Sequence, residues 1–465
     1  MHIHRLHIED IRCFAGVHTV DLPGPGTWTV FAGRNGSGKT TLLRSIAATA
    51  VGPTLARTLM GSRLRWVREG KALSTALLQL DPQAGVDLVD GAPEGGPAPL
   101  VGPALWWGSA PAGTHDVLGS VSDQRGDLSP GDVRLGVGEL QGANPAVMSA
   151  LRRVDAGPWR PNPSGWFLAA YGAHRHLGPP TKDIQDRSVD PVYARVVSLF
   201  SEAATLSDAV EWLKTVHLRA LEGKAGAAEL KDGALRFLAQ GLLPDHSEVV
   251  RVDSDGLWVR RDGVLLPLED LSDGYRTVTA LVLDLLRHLH RCFGALDLEQ
   301  DASGRWVCPK PGVVLIDEVD AHLHVEWQQR IGFWLTQHFP RLQFLVTTHS
   351  PFICQAASPG GLIRLPGPGE DRRMEVVPPE LHRTVTMGGA DAAVLSELFG
   401  LDSPRSRPAE ALRDAVAELE VRLLGGAATE ADRATYLAMK AQLPDDLAEL
   451  SEQSLRTLGL RRGRR

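Results

Sequence analysis

The chain has 465 residues, a formal net charge of −7 at pH 7, 23% charged residues and 43% hydrophobic ones. It is long for one domain and rich enough in apolar residues to build a sizeable core, and an acidic balance excludes a surface that is a nucleic-acid footprint throughout. No apolar run reaches the roughly 18 residues a membrane span needs, and MHIHRLHIED has no apolar secretory h-region. Four cysteines (Cys13, Cys292, Cys308, Cys354) lack metal or disulfide spacing, so reduced thiols and a cytoplasmic location are expected.

Residues 1–50 read as strands, then a loop, then a helix. WTVFAG (28–33) is the strand and GKTTLLRSIAATA continues at helical spacing. His2, His4 and His7 fit a strand surface better than a ligand set. Arg57, Arg63, Arg65, Arg68 and Lys71, and RRGRR (461–465), are basic clusters. A solvated face is the plain reading of each; a contact to a phosphate backbone, weakening steeply with salt, is the alternative. Residues 82–165 are rich in Gly and Pro, which favours loops and short strands. Residues 190–222 turn helical. GLWVRRDGVLL (256–266) is two strands around an Asp262, Gly263 hairpin turn. LSDGYRTVTAL (271–281) is a polar turn feeding an amphipathic helix. GVVLID (312–317) and QFLVTTH (343–349) read as buried parallel strands. From about residue 404 the chain is helical. Leu412, Val416, Leu419 and Leu423 share a face, Gly425 and Gly426 stop that helix, and Thr429 with Asp432 suits a capping box for the next. The expected division is an N-terminal lobe (1–81), an irregular insertion with a helical lobe (82–255), a second lobe (256–400) and a C-terminal helical module (401–465). No internal repeat is visible.

GRNGSGKT (33–40) matches G-x-x-x-x-G-K-[ST] between an apolar strand and a helix. Glycines let backbone N–H groups wrap an anion, and the helix brings its positive end to the same point. Gly33, Asn35, Gly36, Ser37, Gly38, Lys39, Thr40 and Thr41 are therefore expected to hold ATP. Lys39 reaches the β- and γ-phosphates and Thr40 ligates Mg²⁺. VVLIDEVDAHLH (313–324) ends a strand in two carboxylates. Asp317 is expected to hold Mg²⁺ and Glu318 to take a proton from the attacking water. TTHSPF (347–352) puts His349 at another strand end, placed to sense the γ-phosphate or orient the water.

These pieces, with LSDG, occur in the order found in ABC-type ATPases. The chain resembles the RecF/SMC-like branch of that superfamily over roughly residues 1–50 and 265–355. LSDGY departs from the commoner LSGGQ. The resemblance implies an α/β head of P-loop type, a mixed sheet with flanking helices, carrying a helical lobe and a C-terminal helical module. It also implies that two heads sandwich ATP. Ser272 and Gly274 of one head would then face the phosphate held by the other, with Asp273 turned away or paired to Arg276. WFLAAYGAHRHLG (166–178), with Tyr171, Gly172 and Arg175, and the C-terminal tail resemble the PtuA-type ATPases of Septu and retron-associated antiphage systems. That narrower resemblance implies a homo-oligomer built on head pairs that controls a separate effector, a nuclease, with the tail as the docking module. The residues after His349 show no Asp-x-Asp pair on a strand, so a nuclease within this chain is not expected. A RecF-like recombination or repair ATPase gripping DNA directly is the alternative. A transporter subunit fits the opening and the long irregular middle poorly, and no membrane association is expected. Contact with nucleic acid, direct or through the partner, stays open, as does the Mg²⁺-sensing glutamine, for which Gln79 and Gln83 are candidates.

Overall fold

Trp28–Ala32 is buried at every position, as a strand covered on both faces must be. It lies at the centre of the computed structural model, which describes residues 1–61, 65–88, 104–108, 117–120, 157–160, 163, 165–175, 190–401, 403–425 and 429–443. Arg63, the terminal RRGRR and most of the Gly/Pro-rich stretch lie outside the described residues.

The strands are β1 (His2–Glu9), β2 (Val17–Asp21), β3 (Trp28–Ala32), β4 (Leu73–Asp81), β5 (Ala104–Gly108), β6 (Val117–Ser120), β7 (Leu168–Tyr171) and β8 (Glu248–Val252). Then come β9 (Leu257–Arg261), β10 (Val264–Pro267), β11 (Glu299–Gln300), β12 (Trp306–Val307), β13 (Gly312–Ile316), β14 (Leu342–Thr347), β15 (Leu362–Arg364) and β16 (Glu375–Val376). The helices are α1 (Lys39–Val51), α2 (Pro53–Met60), α3 (Pro191–Phe200), α4 (Ser207–Leu221), α5 (Ala227–Leu238) and α6 (Asp273–Phe293). They continue with α7 (Val325–His338), α8 (Pro351–Cys354), α9 (Pro379–Met387), α10 (Ala390–Val394), α11 (Arg407–Leu424) and α12 (Glu430–Lys440).

A six-stranded sheet runs β16-β15-β3-β14-β13-β7, parallel except for β16. An antiparallel sheet runs β2-β1-β4-β5-β6. A third, β10-β9-β8, contains the hairpin read from the sequence. Asp262 and Gly263 both take positive φ (50° and 79°), as a two-residue turn matching strand twist requires. Side-chain alternation splits the interior in two. Trp28, Val30, Val314, Ile316, Phe344 and Val346 face a core shared with α6. Phe31, Val313, Leu315 and Leu345 face a core shared with α1 and the antiparallel sheet. The fold is therefore α/β, a mixed sheet with flanking helices.

Residues Met1–Gly400 form one compact unit and the chain from Leu401 a second. In the second, Val416 and Leu419 are buried on α11. Thr429 Oγ1 accepts the Asp432 N–H (3.1 Å) and Asp432 returns the bond to the Thr429 N–H (2.8 Å), the capping box expected there.

One buried histidine sets an acid limit on this fold. The His338 ring stacks on Trp334 at 3.9 Å. Its Nδ1 meets the Trp334 carbonyl at 2.9 Å, while its Nε2 is buried without a partner. Burial pushes its pKa from 6.5 down to about 4. Between those two values the unfolded chain binds a proton that the folded chain refuses, so stability falls as pH falls through the window, by about 3 kcal/mol at most. His338→Asn, which keeps a donor for the carbonyl, is expected to flatten that dependence. Urea midpoints at pH 7 and pH 4.5 test it, and equal losses in wild type and variant would refute the assignment.

Candidate functional site

Parallel register brings four strand ends to one edge. Ile316 pairs with both Val346 and Tyr171, and Phe31 pairs with Thr347. The segments that follow β3, β13, β14 and β7 therefore share the carboxyl edge of the sheet, where open α/β sheets bind ligands.

The loop from β3 to α1 turns through two left-handed glycines, Gly36 (φ 80°) and Gly38 (φ 86°). A Cβ on Gly38 would strike Cys13 Sγ and the Phe14 ring, so only glycine fits. Helix α1 starts at once, with no side-chain cap and no acid in its first turn. Its first N–H groups and positive end are left for a ligand. Asn35 and Gly36 are exposed at the loop tip, while Gly33 and Ser37 are buried beneath it. The Ser37 hydroxyl is buried without a hydrogen-bond partner. Thr40 is half-buried, and the Thr41 hydroxyl meets Arg12 Nη1 at 3.5 Å. Lys39 Nζ donates to the carbonyls of Gly33 (2.8 Å) and Arg34 (3.2 Å). Burial lowers its pKa, and the charges of Asp317, Glu318 and Asp320 oppose that shift.

The acidic loop after β13 is stitched to the end of β14. Thr347 Oγ1 donates to Asp317 Oδ1 (2.6 Å) and accepts the Glu318 N–H (2.8 Å). Asp320 Oδ1 accepts from Thr348 Oγ1 (2.5 Å) and from the His349 N–H (3.3 Å). Glu318 takes φ 44°, a left-handed conformation that costs a non-glycine residue about 1–2 kcal/mol. Asp317 is buried. His349 is exposed, and its pKa is lowered by partial desolvation and then by Lys39, against the pull of Asp320, Glu318 and Asp317, so its ring is neutral at pH 7. Sequence reasoning gave no role to Asp320, Thr347 or Thr348. Two hydroxyls directly before His349, one strand from the acids, were the available signal.

The Tyr171, Gly172, Arg175 segment follows β7. Tyr171 OH donates to Asp284 Oδ2 on α6 (3.1 Å). A Cβ on Gly172 would strike the Ser198 carbonyl. Arg175, 3% exposed, donates to the carbonyls of Gly172 (2.8 Å), Asp317 (2.7 Å) and Glu318 (2.8 Å), with longer contacts to those of Val319 and Ala321 (both 3.5 Å).

Ser272 and Gly274 sit elsewhere on the acidic loop's margin. Ser272 is the exposed residue before α6, in an extended conformation, and its side chain does not cap the helix. A Cβ on Gly274 would come within 2.9 Å of the His322 carbonyl. Asp273 is exposed and pairs with Arg276 at 3.3 Å, the pairing expected of it. Three of the described members of the basic cluster have partners within the chain, although Arg57 and Lys71 remain exposed. Arg57 donates to the Leu118 carbonyl (2.7 Å), Arg68 to those of Arg12 (2.9 Å) and Cys13 (3.0 Å), and Lys71 pairs with Asp10 (2.9 Å). No helix among the described residues is long and apolar enough to cross a membrane.

Parts of the chain match known proteins. Residues 5–69 match a family described as "AAA domain", and residues 205–355 one described as "AAA domain, putative AbiEii toxin, Type IV TA system". The chain is 43% identical over 84 residues to the Septu protein PtuA of Bacillus mycoides (strain KBAB4), covering 18% of this chain and 10% of that protein. It is 37% identical over 109 residues to the Retron Vc95 probable ATPase of Vibrio cholerae serotype O1 biovar El Tor, covering 23% of this chain and 20% of that protein. It thus spans a fifth or less of the length of these relatives. A crystal structure of an SmcHead bound to the C-winged helix domain of ScpA aligns over 81% of this chain and 98% of that one, at 15% identity and a TM-score of 0.40. With a glycine-turned loop after β3, an acid-ended strand two places away in the same sheet and these matched segments, the chain is similar over part of its length to Septu PtuA proteins and retron probable ATPases.

Proposed function

We propose that this protein binds and hydrolyses ATP with Mg²⁺, that two copies close head-to-head around the nucleotide, and that closure controls a separate effector, a nuclease, in an antiphage defence complex. The observation that carries the reading is the single sheet edge on which Lys39 feels Asp317, Glu318 and Asp320, and His349 feels all four. Residues 33–41 hold the phosphates. The orphaned Ser37 hydroxyl and the uncapped start of α1 suit an anion there. Mg²⁺ takes one or two carboxylates and completes its shell with phosphate and water; Asp317 and Thr40 would be its protein ligands. Glu318 serves as the base and His349, kept neutral, orients the water. Ser272, exposed, and Gly274, half-buried beside it, meet the phosphate of a second copy. A ligand touching both copies stabilises the closed pair by its differential affinity for that state.

The defence setting is supported by the relatives' names, which are those of Septu and retron proteins; the separate nuclease is the proposal's own step. A tagged Glu318→Gln protein, expressed with its native neighbouring genes and purified with ATP, is expected to bring down a nuclease in stoichiometric amount, read by mass spectrometry. Recovery of DNA or recombination proteins alone would overturn the effector reading in favour of an ATPase that grips DNA itself.

A further inference from the structure

We infer that Arg175 is a positioning residue for Glu318, joining helix α6, which begins just after Ser272, to the acidic loop. The inference rests on the ATPase reading above and adds to it the device by which one end of α6 governs the base.

The carbonyls of Asp317, Glu318, Val319 and Ala321 converge on one buried guanidinium. Together these inward-pointing carbonyls form a crown of partial negative charge; the backbone meets it in part, through the Ala321 N–H to the Glu318 carbonyl (2.8 Å), and the guanidinium adds the rest. A planar fork of five donors fits that crown, whereas a point-like ammonium does not. The hydrogen bonds of the Arg175 guanidinium go to carbonyls and leave the acid side chains for other work. The crown also supports the left-handed Glu318 backbone, a strained conformation that persists only when its surroundings over-determine it. Arg175 holds this backbone from one side and Thr347 Oγ1 from the other.

The second half of the argument lies on α6. Thr277 Oγ1 donates to the Arg175 carbonyl at 3.3 Å, one helical turn from the 272–274 turn. Asp284, two turns further along, accepts from Tyr171 OH and pairs with Arg287 (2.7 Å) and His288 (3.2 Å). Burial works against the Asp284 charge, but His288 and Arg287 hold its pKa well below the ordinary range, so this anchor stays ionised. The segment 171–175 is thus tied twice to α6 and, through one side chain, to the loop that carries Glu318. A displacement of α6 when a phosphate meets Ser272 moves Arg175, and with it the Glu318 carboxylate.

The test is a double-mutant cycle of Arg175→Lys and Glu318→Gln. It reads ATP turnover, affinity for a fluorescent ATP analogue and thermal midpoint for the wild type, both single variants and the double variant. Arg175→Lys is expected to keep nucleotide affinity within about threefold and lower kcat at least about tenfold. In the Glu318→Gln background the same change is expected to alter residual turnover less than about twofold, because its route through the carboxylate is already lost. Wild-type kcat in Arg175→Lys, an equal fold loss in both backgrounds, or lost affinity alongside kcat would each overturn the inference. Should Arg175→Lys not fold, Thr277→Val in the same cycle decides, with a loss in kcat of about threefold expected only when Glu318 is present. A wild type without turnover, or Glu318→Gln at the wild-type rate, would instead overturn the ATPase reading and this inference with it.

Discussion

Replacing Glu318 by glutamine is expected to slow ATP turnover by about 10²-fold or more while leaving nucleotide affinity intact. Every described bond that holds this residue in place is made by its backbone. The N–H donates to Thr347 Oγ1, and the carbonyl accepts from Arg175 Nη2 and from the Ala321 N–H. Glutamine, with the same shape, keeps these bonds and the loop, and loses only the basic oxygen. A 10²-fold effect corresponds to about 2.7 kcal/mol of transition-state stabilisation, within reach of one positioned base. Steady-state turnover with equilibrium binding of an ATP analogue checks it. Unchanged turnover would place the base elsewhere, and Asp320, which anchors Thr348 and the His349 backbone, would be the next carboxylate to replace.

Ser272→Arg is expected to abolish the ATP-dependent pairing of two chains without blocking ATP at the Lys39 loop. Ser272 is exposed, extended and makes no side-chain cap, so its replacement should cost the fold no more than about 0.5 kcal/mol. An arginine there fills the space in which the proposed composite site would receive a phosphate from the second copy, so the loss falls on association rather than folding. Light scattering of the Glu318→Gln protein with and without ATP, with Ser272→Arg added, separates the two. Pairing that survives the arginine would remove Ser272 and Gly274 from the site. Asp273 is no obstacle to a phosphate at this turn, since its carboxylate is turned outward and paired with Arg276.

Short-range chemistry made much of this protein readable. Lys39 to Val51 announces a helix by its spacing, and Gly36 and Gly38 announce left-handed turns because positive φ favours glycine; at Gly38 a Cβ would also strike Cys13 and Phe14. Asp262 with Gly263 announces its hairpin and Thr429 with Asp432 its helix start, each because two neighbouring residues suffice to make the bond or turn. The apolar runs ending at Ile316 and Thr347 could be called buried parallel strands because both faces are covered.

Residue types, spacing and local turns were therefore determined by the sequence alone: a glycine-rich loop before a helix, two acid- and histidine-ended strands, a polar turn before a long helix, and a helical tail. What only the tertiary structure decided is which of these meet, and through what. The order β16-β15-β3-β14-β13-β7 brings the loop after Ala32 to the acids after Ile316, across more than 280 residues of chain. The convergence of four backbone carbonyls on Arg175, and the sharing of Thr347 Oγ1 between Asp317 and Glu318, carry no local signature. Backbone groups look alike in every residue, so the sequence cannot mark which carbonyls will turn inward. That choice is made by strand register and by the packing of α6 against the sheet.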